Sequence, residues 1–327
     1  MEGQQANSIQ VMPYSMLVGQ TQLKRALELA HVAPRIGGVL LSGERGTGKS
    51  TVVRAFASMM YGRLPVTLPI NATEDRVVGG WQIDALLQGR KEPQQGLLAA
   101  AHGSVLYIDE VNLLDDHIVN IILDVTSTGI LVVQREGKDE ESAVDFTLVG
   151  TMNPSEGGLR PQLLDRFGLM VDVVAESSPD VRTAILEAVL DYDAARGMER
   201  AGMQGRAVDR LRERRVADDA RREELRQARE RFPGVELDPS VARVCVDLAD
   251  AFKAEGHRGD YVLAMAARAN AALRGGAAAT REDLVEVAAL ALQHRRAGGP
   301  RWTAEDAVRV TELIHGAAVA PEAAGAS

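Results

Sequence analysis

Cysteine occurs once in 327 residues, as Cys245 in the stretch RVCVDLADAF. That rules out an intramolecular disulfide framework, and the apolar neighbours point to a buried structural thiol rather than a reactive one. Aromatic residues are only 4% of the chain, too few for a surface built to stack bases or sugars. No run approaches the roughly 18 uninterrupted apolar residues a membrane span needs. The opening MEGQQANSIQVM lacks the basic start and apolar stretch of a signal peptide. Positive charge is in deficit too: at a net −9 the surface as a whole repels nucleic acid and anionic membranes, so neither is expected as a partner. The six histidines contain no pair three or four apart, and one thiol cannot build a thiolate site, so the chain shows no metal-insertion chemistry of its own. The expectation is a cytoplasmic protein.

What is present is a rhythm. GGVLLSG (37–43), PVTLPI (65–70), SVLYID (104–109), FTLVGTMN (146–153) and LMVDVV (169–174) are short, apolar and β-branched, without clean alternation, as strands covered on both faces tend to be. Helical patterns such as STVVRAFASMM and DDHIVNIILDVTSTG fall between them, and this alternation predicts a parallel α/β sheet. ILVVQREGKDEESAVDFTLV (130–149) interrupts it as a hairpin. Residues 1–178 are therefore expected to form an α/β domain. From 179 to 236 a charged helical linker is expected, because residues 194–231 hold twelve arginines against eight acidic residues and few large apolar ones. A basic groove is one reading of that stretch; a solvated helix with interleaved charges is the simpler one. Residues 237–318 predict a small helical domain, with Asp238 and Pro239 opening one helix, Gly275 closing the next, Thr280 opening a third and a Gly-Gly-Pro break before a fourth. A disordered tail is expected over 319–327.

The chemistry concentrates in GERGTGKS, residues 43 to 50, which follows a predicted strand and precedes a predicted helix. Gly43, Gly46 and Gly48 let the backbone turn its N–H groups inward around phosphate oxygens, and the following helix adds its positive end. Glu44, Arg45, Thr47 and Thr51 belong to the same wrap. Lys49 is expected to bridge terminal phosphates, and Ser50 to hold a magnesium ion. The strand VLYIDE (105–110) ends in two carboxylates. Asp109 is suited to orient that magnesium, and Glu110 to take a proton from an attacking water. GTMNP (150–154) ends another strand, and the Asn153 amide could hold the water; an ordinary Asn-Pro turn would also explain the sequence. ATP with Mg²⁺ is the ligand this set predicts.

A phosphate loop, an apolar strand ending in Asp-Glu, a strand ending in a polar residue and a helical lid resemble the AAA+ ATPases. VGQ (18–20), TEDRVVGG (73–80), VLYIDEVNLLDDHIVNIILDV (105–125) and EGGLRPQLLDRFGLMVDV (156–173) resemble, more narrowly, the ATPase I subunit of magnesium chelatase, over roughly residues 9 to 296. The resemblance implies a P-loop AAA+ parallel-sheet domain followed by a small all-α lid. It also implies an ATP-fuelled ring, typically hexameric, with nucleotide between neighbouring subunits and Gly19 and Gln20 near the adenine. Its partners would be a second AAA+-like subunit with an integrin-type metal domain and a large tetrapyrrole-binding subunit that inserts the metal. Magnesium and cobalt chelation stay open, as does a MoxR-like role in protein remodelling beside a metal-domain partner.

One stretch, LRPQLLDRFG (159–168), sets Arg160, Asp165 and Arg166 among leucines and a phenylalanine. The resemblance implies that Arg166 is an arginine finger, reaching the γ-phosphate of the next subunit's ATP with Asp165 helping to hold that contact. A second arginine from the lid is implied to sense the nucleotide: Arg258 in HRGD, or Arg268, since Met265 stands where the family often has an arginine.

Overall fold

The computed structural model describes residues 11–82, 85, 88–90, 92–135, 138–254, 256–296 and 301–316. The expected tail, the Gly-Gly-Pro break and the first ten residues lie outside them. Five short apolar runs pair in parallel: β1 Val39–Ser42, β2 Val66–Leu68, β5 Val105–Ile108, β8 Thr147–Met152 and β9 Leu169–Asp172. Two antiparallel ribbons stand apart from that sheet, β3 Gly79–Trp81 with β4 Pro93–Gln95, and β6 Ile130–Arg135 with β7 Lys138–Ala143. The strand order is β2-β5-β8-β1-β9, so the C-terminal ends of β1, β8 and β5 lie side by side.

Both faces of the sheet are covered. Val39 and Leu41 of β1 join one apolar cluster with the helices Thr21–Val32 and Lys49–Tyr61, while Leu40 between them joins another with the helix Asp116–Thr128. Successive strand side chains point to opposite faces, and here both directions lead into core, which is why the strands read as unbroken apolar runs. The Asp116–Thr128 helix has explicit ends. The Asp115 carboxylate accepts from His117 N–H at 2.8 Å, and Gly129, at φ 71°, closes it in the left-handed region.

Residues 179–236, expected as a charged linker, are mostly two helices, Pro179–Arg200 and Arg206–Arg231, laid against the rest of the chain. The second is solvated over most of its length and buries only Val208, Leu211, Leu225 and Ala228. Its charges pair along the helix, as Arg222 with Asp219 and Arg226 with Glu223, and such exposed pairs contribute little each. Two arginines do more. Arg221 forks onto buried Glu28 of the Thr21–Val32 helix at 3.1 and 2.5 Å, and Arg229 pairs with Asp145 beside β8.

Four helices follow: Pro239–Ala251, Arg258–Leu273, Arg281–Leu292 and Ala304–Gly316. The second buries Ala266, Ala267, Ala269, Ala271 and Ala272, small side chains that let the third approach closely. The third begins with a reciprocal cap between Thr280 and Asp283, as its sequence predicts. Burial raises the Asp283 pKa, but bonds from Arg274 and Asn270 outweigh it and hold the carboxyl below its ordinary range. The helical pattern TREDLVEVAALALQHRR extends to Arg296, but the helix stops at Leu292. Gln293, His294 and Arg295 turn off it to meet the α/β domain.

Two buried histidines make stability depend on pH. Burial, and then the charge of Arg229, lower the His31 pKa to about 3. Burial, and then Arg295, hold His294 well below its ordinary value, against the pull of the Phe167 carbonyl. Unfolded histidine protonates near pH ~6.5. Folded values depressed below that leave the contribution intact above about pH 6.5 and lost as pH falls toward the folded values, since the unfolded chain takes up protons the folded chain refuses. Thermal unfolding followed from about pH 7.5 down to about pH 5 should show a falling midpoint, as stability drops by up to about 1.4 kcal/mol per pH unit for each histidine. A midpoint flat over that range would mean both rings protonate freely in the folded chain.

Candidate nucleotide site

The loop between β1 and the Lys49–Tyr61 helix turns on its glycines. Gly46 and Gly48 sit at φ 80° and 82°, where a side chain would be strained. Gly43 is required for a different reason: a Cβ there would lie 2.1 Å from the carbonyl oxygen of Val173, just past the end of β9. Gly48 caps the helix without a side-chain bond, so the first helical N–H groups face the loop. Lys49 Nζ donates to the carbonyls of Gly43 at 2.7 Å and Glu44 at 2.6 Å and to Thr47 Oγ1 at 3.2 Å, spanning the loop. Burial lowers its pKa, and Asp109 pulls the other way.

Across the cleft the strand ends form one polar chain. Ser50 Oγ lies 3.0 Å from Tyr107 Oη, which donates to Asp109 Oδ1 at 3.0 Å. Thr151 Oγ1 also donates to Asp109 Oδ1, at 2.8 Å, and accepts the Glu110 N–H at 3.1 Å. Burial first, with smaller opposing bonds, raises the Tyr107 pKa, so its hydroxyl keeps the proton it donates. Glu110 sits at φ 57°, a left-handed conformation uncommon for a residue with a side chain. Its carboxylate pairs at 2.8 Å with Arg45, which also reaches Glu156 at 2.8 Å. Asn153 is buried, and its Oδ1 accepts from Ser155 N–H at 3.3 Å and Ser155 Oγ at 2.9 Å, so the Asn-Pro turn and a cleft-lining amide coexist. Gly43, Arg45, Lys49, Ser50, Asp109, Glu110, Thr151 and Asn153 line one cleft of about 370 Å³.

A second cavity of about 480 Å³ shares Gly46, Thr47, Gly48 and Thr51 with it. Its walls are mostly apolar, including Leu17, Val18, Val52, Ile185, Leu186 and Val189. Gln20 lines it and donates to the Thr47 carbonyl at 3.3 Å. Gly19, at φ 74°, lies against Glu176, where a Cβ would come 2.7 Å from Oε1. Sequence reasoning placed Gly19 and Gln20 near the base but missed this wall, because its residues come from three segments far apart in the chain. It also missed Tyr107 and Thr151, although Tyr107 shares a strand face with Asp109 and so was within reach of the period-two rule.

The arginines lie elsewhere. Arg166 donates to Asn120 Oδ1 at 2.6 Å and to Asp124 Oδ1 at 2.6 Å, on the Asp116–Thr128 helix, and lines neither cavity. Asp165, expected to help hold the contact of Arg166, is bonded within this chain to Arg295, whose Nε reaches its Oδ1 at 3.0 Å; a buried guanidinium claims the carboxylate because it has more to lose unpaired. Arg258 lines neither cavity and its Nη1 is buried with no partner among the described residues. Arg268, the alternative, donates to the carbonyls of Val235 at 2.8 Å and Phe232 at 3.3 Å, tying the lid helix to the turn before it.

Comparisons with known proteins agree with this architecture. An AAA domain model (dynein-related subfamily) matches residues 38–167, and an AAA lid domain model matches residues 243–314. The magnesium-chelatase 38 kDa subunit of Rhodobacter capsulatus is 40% identical, over 93% of this chain and 93% of its own. The magnesium-chelatase subunit ChlI of Trieres chinensis is 35% identical, over 94% and 96%. An uncharacterized protein of Mycobacterium tuberculosis is 42% identical over 88% of this chain, which spans 45% of that longer one. Among solved structures, a chain from a complex between subunits BchI and BchD of magnesium chelatase is 38% identical and covers 92% of this chain, with a TM-score of 0.49. The crystal structure of a candidate ATPase from Cytophaga hutchinsonii shares the fold at TM-score 0.60 and 18% identity, over 93% of this chain and 90% of its own.

Proposed function

This chain belongs to the magnesium chelatase ATPase subunit family of AAA proteins, and from that membership we propose that it hydrolyses ATP to drive metal insertion into a tetrapyrrole by partner subunits. The observation that carries the ATPase reading is the unbroken polar chain from Ser50 through Tyr107 and Asp109 to Thr151, which ties the phosphate loop to the ends of β5 and β8. It leaves Asp109 Oδ2 outside these bonds, as an oxygen for the ion's water shell. Ser50 and Asp109 offer the hard oxygen donors that Mg²⁺ selects. When bound, the ion would neutralise charge on the β- and γ-phosphates.

The chain's own residues then divide the work. The loop N–H groups of Gly46 and Gly48, with Lys49, hold the phosphates, and the apolar cavity beside Gln20 is large enough for the base. Glu110 takes the proton of the attacking water, Asn153 orients that water, and Arg166 serves the nucleotide of a neighbouring subunit in a homo-oligomeric ring. Arg258, whose buried Nη1 has no partner among the described residues, is favoured over Arg268 as the lid's nucleotide sensor, since Arg268 already holds carbonyls. Metal insertion would fall to partners. A BchD-like subunit and a tetrapyrrole-binding subunit are the expected ones.

The test is reconstitution. Mixed with such partners, protoporphyrin, Mg²⁺ and ATP, the protein should give ATP-dependent magnesium porphyrin, read by its fluorescence shift. Insertion of cobalt alone would reassign the metal. ATP hydrolysis with no metallation by either ion would sink the chelatase reading and favour remodelling.

A further inference from the structure

Arg295 leaves the end of the Arg281–Leu292 helix and runs into the α/β domain with none of its side chain exposed. A buried guanidinium is costly unless all its donors are met. Here its bonds match the five N–H groups in number: Nε to Asp165 Oδ1 at 3.0 Å, Nη2 to the carbonyls of Asp165 at 2.7 Å and Phe167 at 2.5 Å, and Nη1 to those of Gly168 at 2.9 Å and Ala291 at 2.5 Å. Four of the five go to residues within two positions of Arg166. The neighbouring lid side chains do the same: His294 Nε2 donates to the Phe167 carbonyl at 2.9 Å, and Gln293 bonds to the carbonyl of Met170.

The other side of this segment is equally fixed. Phe167 is fully buried, and a Cβ on Gly168 would lie 2.0 Å from the Ile36 carbonyl oxygen, so the backbone passes through a gap only glycine fits. Arg166 therefore projects from a backbone clamped on both sides.

We propose that Arg295 is a positioning residue for Arg166, joining the lid to the arginine finger so that the two move as one body. A lid that shifts with its own nucleotide would then carry Arg166 toward or away from the nucleotide of the next subunit. The inference rests on Arg166 acting in trans. An ion pair kept only for stability would need the Asp165 carboxylate; three bonds to the carbonyls of Asp165, Phe167 and Gly168 additionally fix the backbone that aims Arg166.

The experiment is a mixed-ring assay with Arg295→Met. Alone, the variant should lose up to about 10²-fold in kcat, with KM little changed, because a finger displaced by about 1 Å loses that much. Mixed with Lys49→Ala chains, which keep their finger but cannot hold nucleotide, its sites should borrow sound fingers and recover turnover. Arg166→Ala mixed with Lys49→Ala is the control. Loss in Arg295→Met without recovery, while the control recovers, overturns the positioning role and leaves the finger in place. Failure of the control overturns the trans reading, and this inference with it. If Arg295→Met does not fold by circular dichroism, Arg295→Lys is used in the same mixtures; it keeps the charge for Asp165 and cannot span the carbonyls. Loss with recovery supports the inference; wild-type turnover of either folded variant overturns it.

Discussion

Arg166→Ala is expected to bind ATP as tightly as the parent protein and to lose about 10³–10⁵-fold in turnover, the contribution an arginine finger supplies. Within its own chain Arg166 is paired with Asn120 and with Asp124, whose side chain is 66% exposed. An ion pair with so exposed a partner is worth at most about 1 kcal/mol. Exchanging it for the γ-phosphate of a neighbour therefore costs little, and removing it should not unfold the chain. Phosphate release and fluorescent-nucleotide binding separate the two effects. Mixing with Lys49→Ala then decides where the arginine acts. Recovered hydrolysis means a site shared between chains; two inactive pools that never complement, or a variant that simply loses ATP affinity, would remove the finger assignment.

Glu110→Gln should bind nucleotide and assemble, yet hydrolyse ATP about 10²–10⁴-fold more slowly, the usual worth of a general base. Glutamine keeps the shape and cannot accept the water's proton. The lost pair with Arg45 should matter little to folding, since the Arg45 side chain is 71% exposed. Single-turnover hydrolysis in preformed complexes isolates the chemical step. Parent-like rates would rule Glu110 out as the base, and Glu156, the other carboxylate on Arg45, would be the next to replace.

How much of this could be read in advance differed by residue. The phosphate loop was legible because its chemistry is local: Gly46 and Gly48 need left-handed backbone and Lys49 needs to reach back over the loop, all within a few residues. Asp109 and Glu110 were legible as a strand end. Thr151 was not, because its bond to Asp109 depends on how β5 and β8 align, with Ile108 beside Gly150. The apolar cavity was invisible for the same reason, since Val18 and Leu186 come from segments far apart in sequence. Asp165 was assigned to the nearest arginine in the chain, whereas its partner is Arg295, 130 residues on.

The sequence by itself determined the five parallel strands, the helix starts at Asp238 and Thr280, and the phosphate cradle. Backbone preference, side-chain periodicity and capping act over a few residues, and their marks sit next to one another in the chain. Only the tertiary structure decided where the charges go. A cation settles on whichever anion or carbonyl the packing brings within reach, so Arg221 found Glu28, Arg229 found Asp145, and Arg295 closed on the residues around Arg166. Nothing in LRPQLLDRFG names the lid as the element that holds its arginine in place.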